Sequence, residues 1–148
     1  MSIEAFKEVM TYRDRIEETR LGNWGFWGRL KAYPDLDPAT WYSIWNGYIK
    51  DSNLTPSVAE QDAQHLEDII VLMNQLALHN EDENPYGAKK WGHVWFTCLM
   101  IKYLDPERPA EAMAKEARIT LRRRCSERTF RHHVQKAREA IFTCAMPL

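Results

Sequence analysis

Residues 126–142 carry the sequence pattern that most restricts how this chain can fold. The apolar residues of this stretch recur every three or four positions: Phe130, Val134, Ala137 and Ile141. A serine oxygen can accept a hydrogen bond from a free amide of a first helical turn, so Ser126 predicts a helix start. Because the apolar positions share one narrow side, we expect a helix over Glu127–Phe142 with one buried face and one face in solvent.

The region around this predicted helix is strongly basic. Residues 113–138 contain nine basic and two acidic side chains, a net charge of +7. The whole chain has a net charge of −1, so all its other residues together carry −8. Positive charge gathered at one end of a near-neutral protein is typical of a segment that binds a polyanion. We expect an acidic, tryptophan-rich helical body at 1–108 and a basic segment at 109–148, within one compact domain.

A shorter helix is predicted directly before the basic one. It should run from about Pro109 to Leu121, with the proline at its first position. Small and flexible side chains would let it pack closely: Ala112, Met113, Ala114 and Ala117. Two short helices joined by a turn predict a basic helix-turn-helix at the end of the fold, and this motif binds duplex DNA.

The predicted DNA contacts follow from how such a motif docks. The first turns of the second helix reach the bases, where Arg pairs with guanine and Gln with adenine. The residues expected to contact bases are Arg128, Arg131, His132 and Gln135. The arginines in or beside the turn should contact phosphates: Arg122, Arg123 and Arg124. The predicted interface also includes Ser126, Thr129 and Lys136. The competing interpretation is a solvated, charged helix face.

The turn departs from the usual helix-turn-helix pattern. In that pattern the residue two positions before the N-cap of the second helix is Gly, but this chain has Arg124 there. The pattern also has a small residue in the first helix, and the corresponding residue of this chain is Thr120. Either the turn is longer than usual or the first helix ends sooner.

The rest of the chain is also predicted to be helical. Three longer helices are expected, over about Ile3–Thr19, Pro56–Ala77 and Ala88–Leu104. Ser2 is a suitable N-cap for the first, and Ser57 and Glu60 have capping-box spacing near the start of the second. No stretch shows strand alternation, so the predicted class is all-α. Short helices and a packed loop both fit residues 22–53.

The six tryptophans form three spaced pairs: Trp24 with Trp27, Trp41 with Trp45, and Trp91 with Trp95. Spacings of three or four residues place each pair on one side of a helix. Such rings could stack on unpaired bases or anchor a core. We favour the core, because the basic residues lie elsewhere.

Cysteine usage argues against a disulfide framework or a zinc site. The chain has three cysteines, an odd number, and they lie far apart in the sequence: Cys98, Cys125 and Cys144. This usage fits a protein of the reducing cytoplasm. Cys98 lies in an apolar run and is expected in the core. No apolar run approaches the roughly 18 residues that span a bilayer, so no membrane association is expected.

Catalytic chemistry is also not indicated. His132 and His133 are adjacent and point to different sides of a helix, which makes them a poor metal pair. His65 with Asp62 and Asp68 is a conceivable ligand set, although such spacing arises often by chance. Neither a phosphate-binding loop nor a nucleophile motif is present, so we expect no enzyme and no cofactor.

Three pieces of the chain together resemble a known family. They are residues 11–27 (TYRDRIEETRLGNWGFW), residues 62–63 with Leu66, Ile69 and Ile70, and residues 125–131 (CSERTFR) continuing through Val134, Ala137 and Ile141. In this order, in a chain of this size, they resemble the Q-type late-gene antiterminators of lambdoid phages.

The resemblance implies a function in transcription antitermination inside a bacterial host cell. In that family a helix-turn-helix similar to region 4 of sigma factors binds DNA at a late promoter. The protein is loaded onto RNA polymerase, with its sigma factor, at a promoter-proximal pause, and the polymerase then reads through pauses and terminators. The basic segment would thus be the DNA anchor, and the acidic body would meet the polymerase near its RNA exit channel, where nascent RNA is a further candidate partner. Some members carry a zinc finger, for which this chain lacks the Cys/His set.

Three other functions fit parts of the sequence. A dimeric helix-turn-helix repressor or activator explains the basic segment but not the acidic body. A protein-interaction module with a basic tail would bind an acidic partner instead of DNA. A small packaging or recombination adaptor would assemble into rings.

Overall fold

The computed structural model describes residues 2–31, 55–79 and 88–147, and these are organised as helices without any strand. This confirms the predicted all-α class. The helices found there are α1 (Ile3–Lys31), α2 (Pro56–His79), α3 (Ala88–Leu104), α4 (Ala110–Leu121) and α5 (Glu127–Cys144). Within these ranges no helix is both long and apolar enough to cross a membrane.

Helix α1 begins as predicted and ends later. The Ala5 amide donates to Ser2 Oγ at 3.1 Å, which confirms Ser2 as the N-cap. The predicted end at Thr19 is wrong, because the helix continues to Lys31. Three glycines in this extension each cost about 1 kcal/mol of helix propensity relative to Ala. Burial of Trp24 and Trp27 outweighs that cost, since their exposed fractions are only 2% and 4%.

The predicted core role is therefore confirmed for the first tryptophan pair. Trp95 of the third pair is half-buried. Trp41, Trp45 and the side chain of Trp91 lie outside the described residues.

Helix α2 begins at Pro56, as predicted, but its capping residue is not the Ser57 of the capping-box pattern. The Val58 amide donates to Thr55 Oγ1 at 3.3 Å, so Thr55 is the capping residue and Pro56 is the first helical position. The capping-box spacing of Ser57 and Glu60 does not mark the start.

The structure divides into two compact units, Met1–Ala63 and Gln64–Leu148, and α2 runs through the boundary between them. Two side chains of α1 bind the first turns of α2 inside the first unit. Asn23 Nδ2 donates to the Ala59 carbonyl at 2.9 Å. Arg20 donates from Nε to both Asp62 oxygens at 3.1 Å and from Nη2 to Oδ1 at 2.7 Å. The buried Arg20 explains why an aspartate interrupts the apolar face of α2.

In the second unit, α3 packs against both α4 and α5, and α4 packs against α5. The predicted bounds of α3 are confirmed, and its Cys98 and Leu99 are fully buried. From α4 the buried side chains are Met113, Ala114 and Ala117. From α5 they include all four predicted apolar positions: Phe130, Val134, Ala137 and Ile141. Three helices thus share one core, with α5 held along its apolar side.

The corner between α3 and α4 is fixed by Arg108. Its Nη2 donates to the Ile101 carbonyl at 2.8 Å, and its guanidinium also pairs with Asp105 and Glu116. Pro109 is the N-cap residue of α4 rather than its first helical position, as its extended ψ of 151° shows.

Candidate nucleic-acid interface

The turn between α4 and α5 is longer than the usual one. Helix α4 ends at Leu121, and Arg122 has the left-handed conformation, with φ 53° and ψ 43°. A left-handed residue commonly ends a helix, and that residue is usually Gly. In this chain the left-handed residue, Arg122, lies four residues before the N-cap Ser126, whereas in the usual motif the Gly lies two residues before it. The turn is therefore extended, and α4 is not shortened. Thr120 is exposed, so it is not the small residue at which α4 packs against its neighbours. That place is taken by Ala114 and Ala117, which are fully buried.

The end of this turn is anchored to the core. Arg118 Nη1 donates to the Cys125 carbonyl at 2.9 Å, and the Cys125 side chain is buried. Its sulfur donates to the Ser126 carbonyl at 3.7 Å and lies near the thiol of Cys98 on α3. Burial first, and then the neighbouring Cys125, raise the pKa of the Cys98 thiol to about 12. These contacts fix the residue that directly precedes α5.

The cysteines are free thiols, but two of them are not far apart in space. Cys98 and Cys125 meet although 27 positions separate them, while Cys144 is exposed. The distance along the sequence gave no indication of this contact. Burial also raises the pKa of Cys125, against the opposing charge of Arg118. Both thiols therefore stay protonated near neutral pH and pack as core side chains.

Ser126 is the N-cap of α5, as predicted. Its Oγ accepts from the Thr129 amide at 3.1 Å and donates to Thr129 Oγ1 at 2.9 Å. Two of the predicted interface residues are therefore engaged in starting the helix. This cap sets the direction in which the next turns project.

The predicted base-contacting residues share one exposed side of α5. All four are exposed: Arg128, Arg131, His132 and Gln135. At 3.6 residues per turn they fall within about 100° of the helix circumference. The buried stripe lies on the opposite side, so packing against α3 and α4 turns these side chains outwards.

The cations of this surface are largely unpaired. Among the residues that the structure describes, no hydrogen bond or ion pair is made by the guanidinium groups of Arg122, Arg124, Arg128 and Arg131. Arg123 is exposed as well and makes an interaction within the protein. We call the surface formed by Arg122, Arg123, Arg124, Arg128, Arg131, His132 and Gln135 the basic face.

An acidic residue that was not predicted from the sequence bounds the basic face. Glu139 is exposed and lies three helical turns after Arg128, on the same side of α5. Its Oε2 is 3.6 Å from Nζ of Lys136, the last of the predicted interface residues. The positive surface therefore ends within about the first three turns of α5. Glu139 follows Arg128 by 11 residues, and three helical turns cover about 11 residues, so the sequence alone places both side chains on the same side of α5.

His133 was considered in the sequence only as a poor metal partner of His132, and the structure places it in the core. It is 5% exposed, whereas His132 is exposed, so the two rings do point to different sides. Burial first, and then the charges of His132 and Arg123, lower the pKa of His133. The ring is therefore neutral near pH 7 and belongs to the core.

The conceivable ligand set around His65 is not assembled. His65 Nε2 accepts from the Met146 amide at 3.1 Å, and Asp62 binds Arg20. In residues 2–31, 55–79 and 88–147 no group of three His, Cys, Asp or Glu side chains could hold a metal ion.

Comparison with known proteins identifies no relative: no protein-family model, no curated protein and no solved structure matches this chain. The geometry of the basic face is therefore the main support for a function.

Proposed function

We propose that this protein binds duplex DNA through the basic face. The observation that carries the proposal is the exposure of Arg122 and Arg124 on the turn and of Arg128 and Arg131 on α5, together with the burial of the other side of that helix in a core. A helix held in this way can enter a major groove without unfolding, and its free cations can meet phosphates and base edges.

The dimensions of the face suit this mode of binding. Arg128 to Gln135 spans about 10 Å along the axis of α5, and a major groove about 12 Å wide admits a helix. Arg128, Arg131 and Gln135 would contact bases, with Arg131 donating two hydrogen bonds to one guanine. The arginines of the turn would lie nearer the phosphate backbone.

We further propose that DNA binding serves transcription antitermination of the Q type. The support is the resemblance of residues 11–27 and 125–131 to that family, in the family's order. In this proposal the basic face anchors the protein at a late promoter. Other surfaces of the chain would then contact the paused polymerase, near the RNA exit channel.

The first test is selection of bound sites from a random duplex pool at about 100 mM salt, where nonspecific attraction is weakened. We expect a single asymmetric or directly repeated site. A read-through assay with bacterial polymerase on a template carrying that site, a pause and a terminator then tests antitermination. A palindromic site would instead favour a dimeric helix-turn-helix regulator. No enrichment, with or without polymerase, would refute DNA recognition and favour a protein-interaction module.

Two arginine variants test the assignment of roles. Arg131→Ala should lose about 1–3 kcal/mol of preference at one base pair. Arg123→Ala should weaken all duplexes alike and reduce the salt slope by about one. Arg15→Ala, an exposed position on α1, is the matched control and should change neither. If Arg131→Ala keeps the full preference of the wild type, α5 is not the reading helix.

A further inference from the structure

The outward side of α5 changes from positive to negative along the helix. Arg128, Gln135 and Glu139 are exposed and lie within about 40° of its circumference. The exposed residues of α5 after Gln135 are Glu139, Thr143 and Cys144, and none of them is a cation. The basic face therefore has a defined end on α5, about 16 Å along the helix axis from Arg128.

Helix α4 carries further cations on its own outward side. Lys115 and Arg118 are exposed and, three residues apart, lie within about 60° of its circumference. Met113 and Ala117 are buried on the side of α4 that faces the core. Lys115 and Arg118 do not belong to the basic face as it is defined above, and we call them the α4 cations.

Arg118 joins the α4 cations to the start of α5. Its Nη1 donates to the Cys125 carbonyl at 2.9 Å, and α5 begins two residues later at Glu127. The side of α4 that carries Lys115 and Arg118 therefore borders the turn and the first residues of α5. The α4 cations thus extend the basic face from α5 across the turn to α4.

A carboxylate lies at each end of this extended surface. Glu111 is exposed in the first turn of α4, about one turn before Lys115, and Glu139 is exposed on α5. Glu111 also stabilises its helix, because a negative charge in a first turn interacts favourably with the helix dipole. The ion pair of Glu139 with Lys136, at 3.6 Å, joins two largely exposed groups and contributes little to stability. Glu139 can therefore be replaced without unfolding the protein.

The position of Glu139 restricts how α5 can lie on a duplex. DNA carries one negative charge for about every 1.7 Å of its axis, so it repels a carboxylate held beside it. The major groove is about 12 Å wide, whereas Arg128 and Glu139 are about 16 Å apart. A helix that crossed the groove over this length would bring Glu139 to the phosphates of one strand. The repulsion is avoided when the first turns of α5 lie deepest and its other end is turned away from the DNA.

We propose that α5 enters the groove by its first turns only, with Lys115 against the phosphate backbone and Glu139 as a positioning residue that keeps the second half of the helix out. The proposal rests on the proposed DNA binding and adds the orientation of the duplex on the protein. Glu139 then favours specific recognition, because its charge weakens the flat, nonspecific arrangement more than the arrangement in which the first turns read the bases.

The test of Glu139 compares two duplexes, the site selected from the random pool and a scrambled sequence of the same length. Affinities of the full chain are measured between about 50 and 200 mM salt. Glu139→Lys should bind the scrambled duplex about eightfold more tightly at 100 mM salt, since one added phosphate contact raises the salt slope by about 0.9. Its affinity for the selected site should change less than about twofold, because residue 139 lies beyond a Debye length of about 10 Å from the phosphates in that arrangement. The preference for the selected site should thus fall about fourfold or more.

Glu107→Lys is the matched control for this change of charge. Glu107 is exposed before α4, about 18 Å from the turn along the axis of that helix, so neither affinity should change more than about twofold. If Glu139→Lys behaves as Glu107→Lys does, the proposal is wrong. Glu139→Gln, which adds no cation, should not weaken binding to the selected site. A loss there without a loss on the scrambled duplex would mean that Glu139 contacts a base, and this would also overturn the proposal.

Lys115 is tested by its loss. Lys115→Ala should weaken binding to both duplexes about eightfold at 100 mM salt and lower the salt slope by about one. Lys7→Ala removes the same charge from an exposed position on α1 and should change neither. Equal helix content by far-UV circular dichroism shows that the variants fold. If the wild type binds its site and Lys115→Ala binds as Lys7→Ala does, the orientation is wrong and DNA binding stands. A wild type that binds no duplex refutes both proposals.

Discussion

Breaking the ion pair between Arg20 and Asp62 by removing one partner should be among the most destabilising single changes to this protein. The side chains are 5% and 1% exposed. Three donor–acceptor distances of 2.7–3.1 Å join the guanidinium to both carboxylate oxygens. Each charge is removed from water, and its partner satisfies it with good geometry. Removal of either side chain would leave a buried charge without its counter-ion.

The expected cost follows from that burial. Breaking a buried, hydrogen-bonded ion pair by removing one partner costs about 3–5 kcal/mol, against a total stability of about 5–15 kcal/mol for a native protein. Asp62→Ala should be the more harmful change, because a guanidinium cannot shed its proton whereas a stranded carboxylate can take one up. Replacing both residues by apolar ones, Arg20→Met with Asp62→Leu, should restore most of the loss, since no charge then remains buried.

Urea unfolding followed by tryptophan fluorescence measures these differences, because Trp24 and Trp27 are buried in the same unit. The ion pair between the exposed Arg13 and the half-buried Glu17, 3.6 Å apart on α1, supplies the control. Arg13→Ala should cost less than about 0.5 kcal/mol. If Asp62→Ala also costs under about 1 kcal/mol, the assumption that this pair is sealed from water is wrong.

Two further predictions concern α5. Ser126→Ala removes the observed cap and should lower the free energy of unfolding by about 1 kcal/mol. Ser57→Ala, which removes no cap from α2, should change it by less than about 0.5 kcal/mol, and equal effects would contradict the assignment of caps. Because burial lowers the pKa of His133 in the native protein, the unfolded chain binds more protons below the ordinary value of 6.5. The contribution of His133 is therefore complete above that pH and is lost as the pH falls, by at most about 1.4 kcal/mol per pH unit. Urea unfolding at pH 7.5 and 5.5 should show this loss in the wild type. The loss should be somewhat smaller in His132→Ala, whose charge contributes to the lowered pKa, and should be reduced most in His133→Leu. An unchanged loss in His133→Leu would exclude His133 as its source.

Local features of the sequence were enough to predict much of the second unit. The bounds of α3, the cap at Ser126 and the buried stripe of α5 were all predicted correctly. Each depends on residues a few positions apart along one helix, where backbone geometry fixes which side chains are neighbours. The outward orientation of Arg128, Arg131, His132 and Gln135 followed from the same periodicity.

Helix α1 shows where local reasoning failed. Gly22, Gly25 and Gly28 weaken a helix in isolation, so its predicted end was Thr19. Burial of the tryptophans between these glycines stabilises the helix in the folded chain, and that gain exists only when α1 packs in its unit. The partner of Asp62 was hidden for a similar reason, because 42 residues separate it from Arg20.

The sequence by itself determined the helical class, the position of the basic segment and the side of α5 that faces the core, because these depend on short-range periodicity. Only the tertiary structure decided the length of α1, the contact between Cys98 and Cys125, the burial of His133 and the left-handed Arg122 that lengthens the turn. These features depend on packing between residues distant in sequence, and the energy of burial there exceeds the preferences of the individual residues.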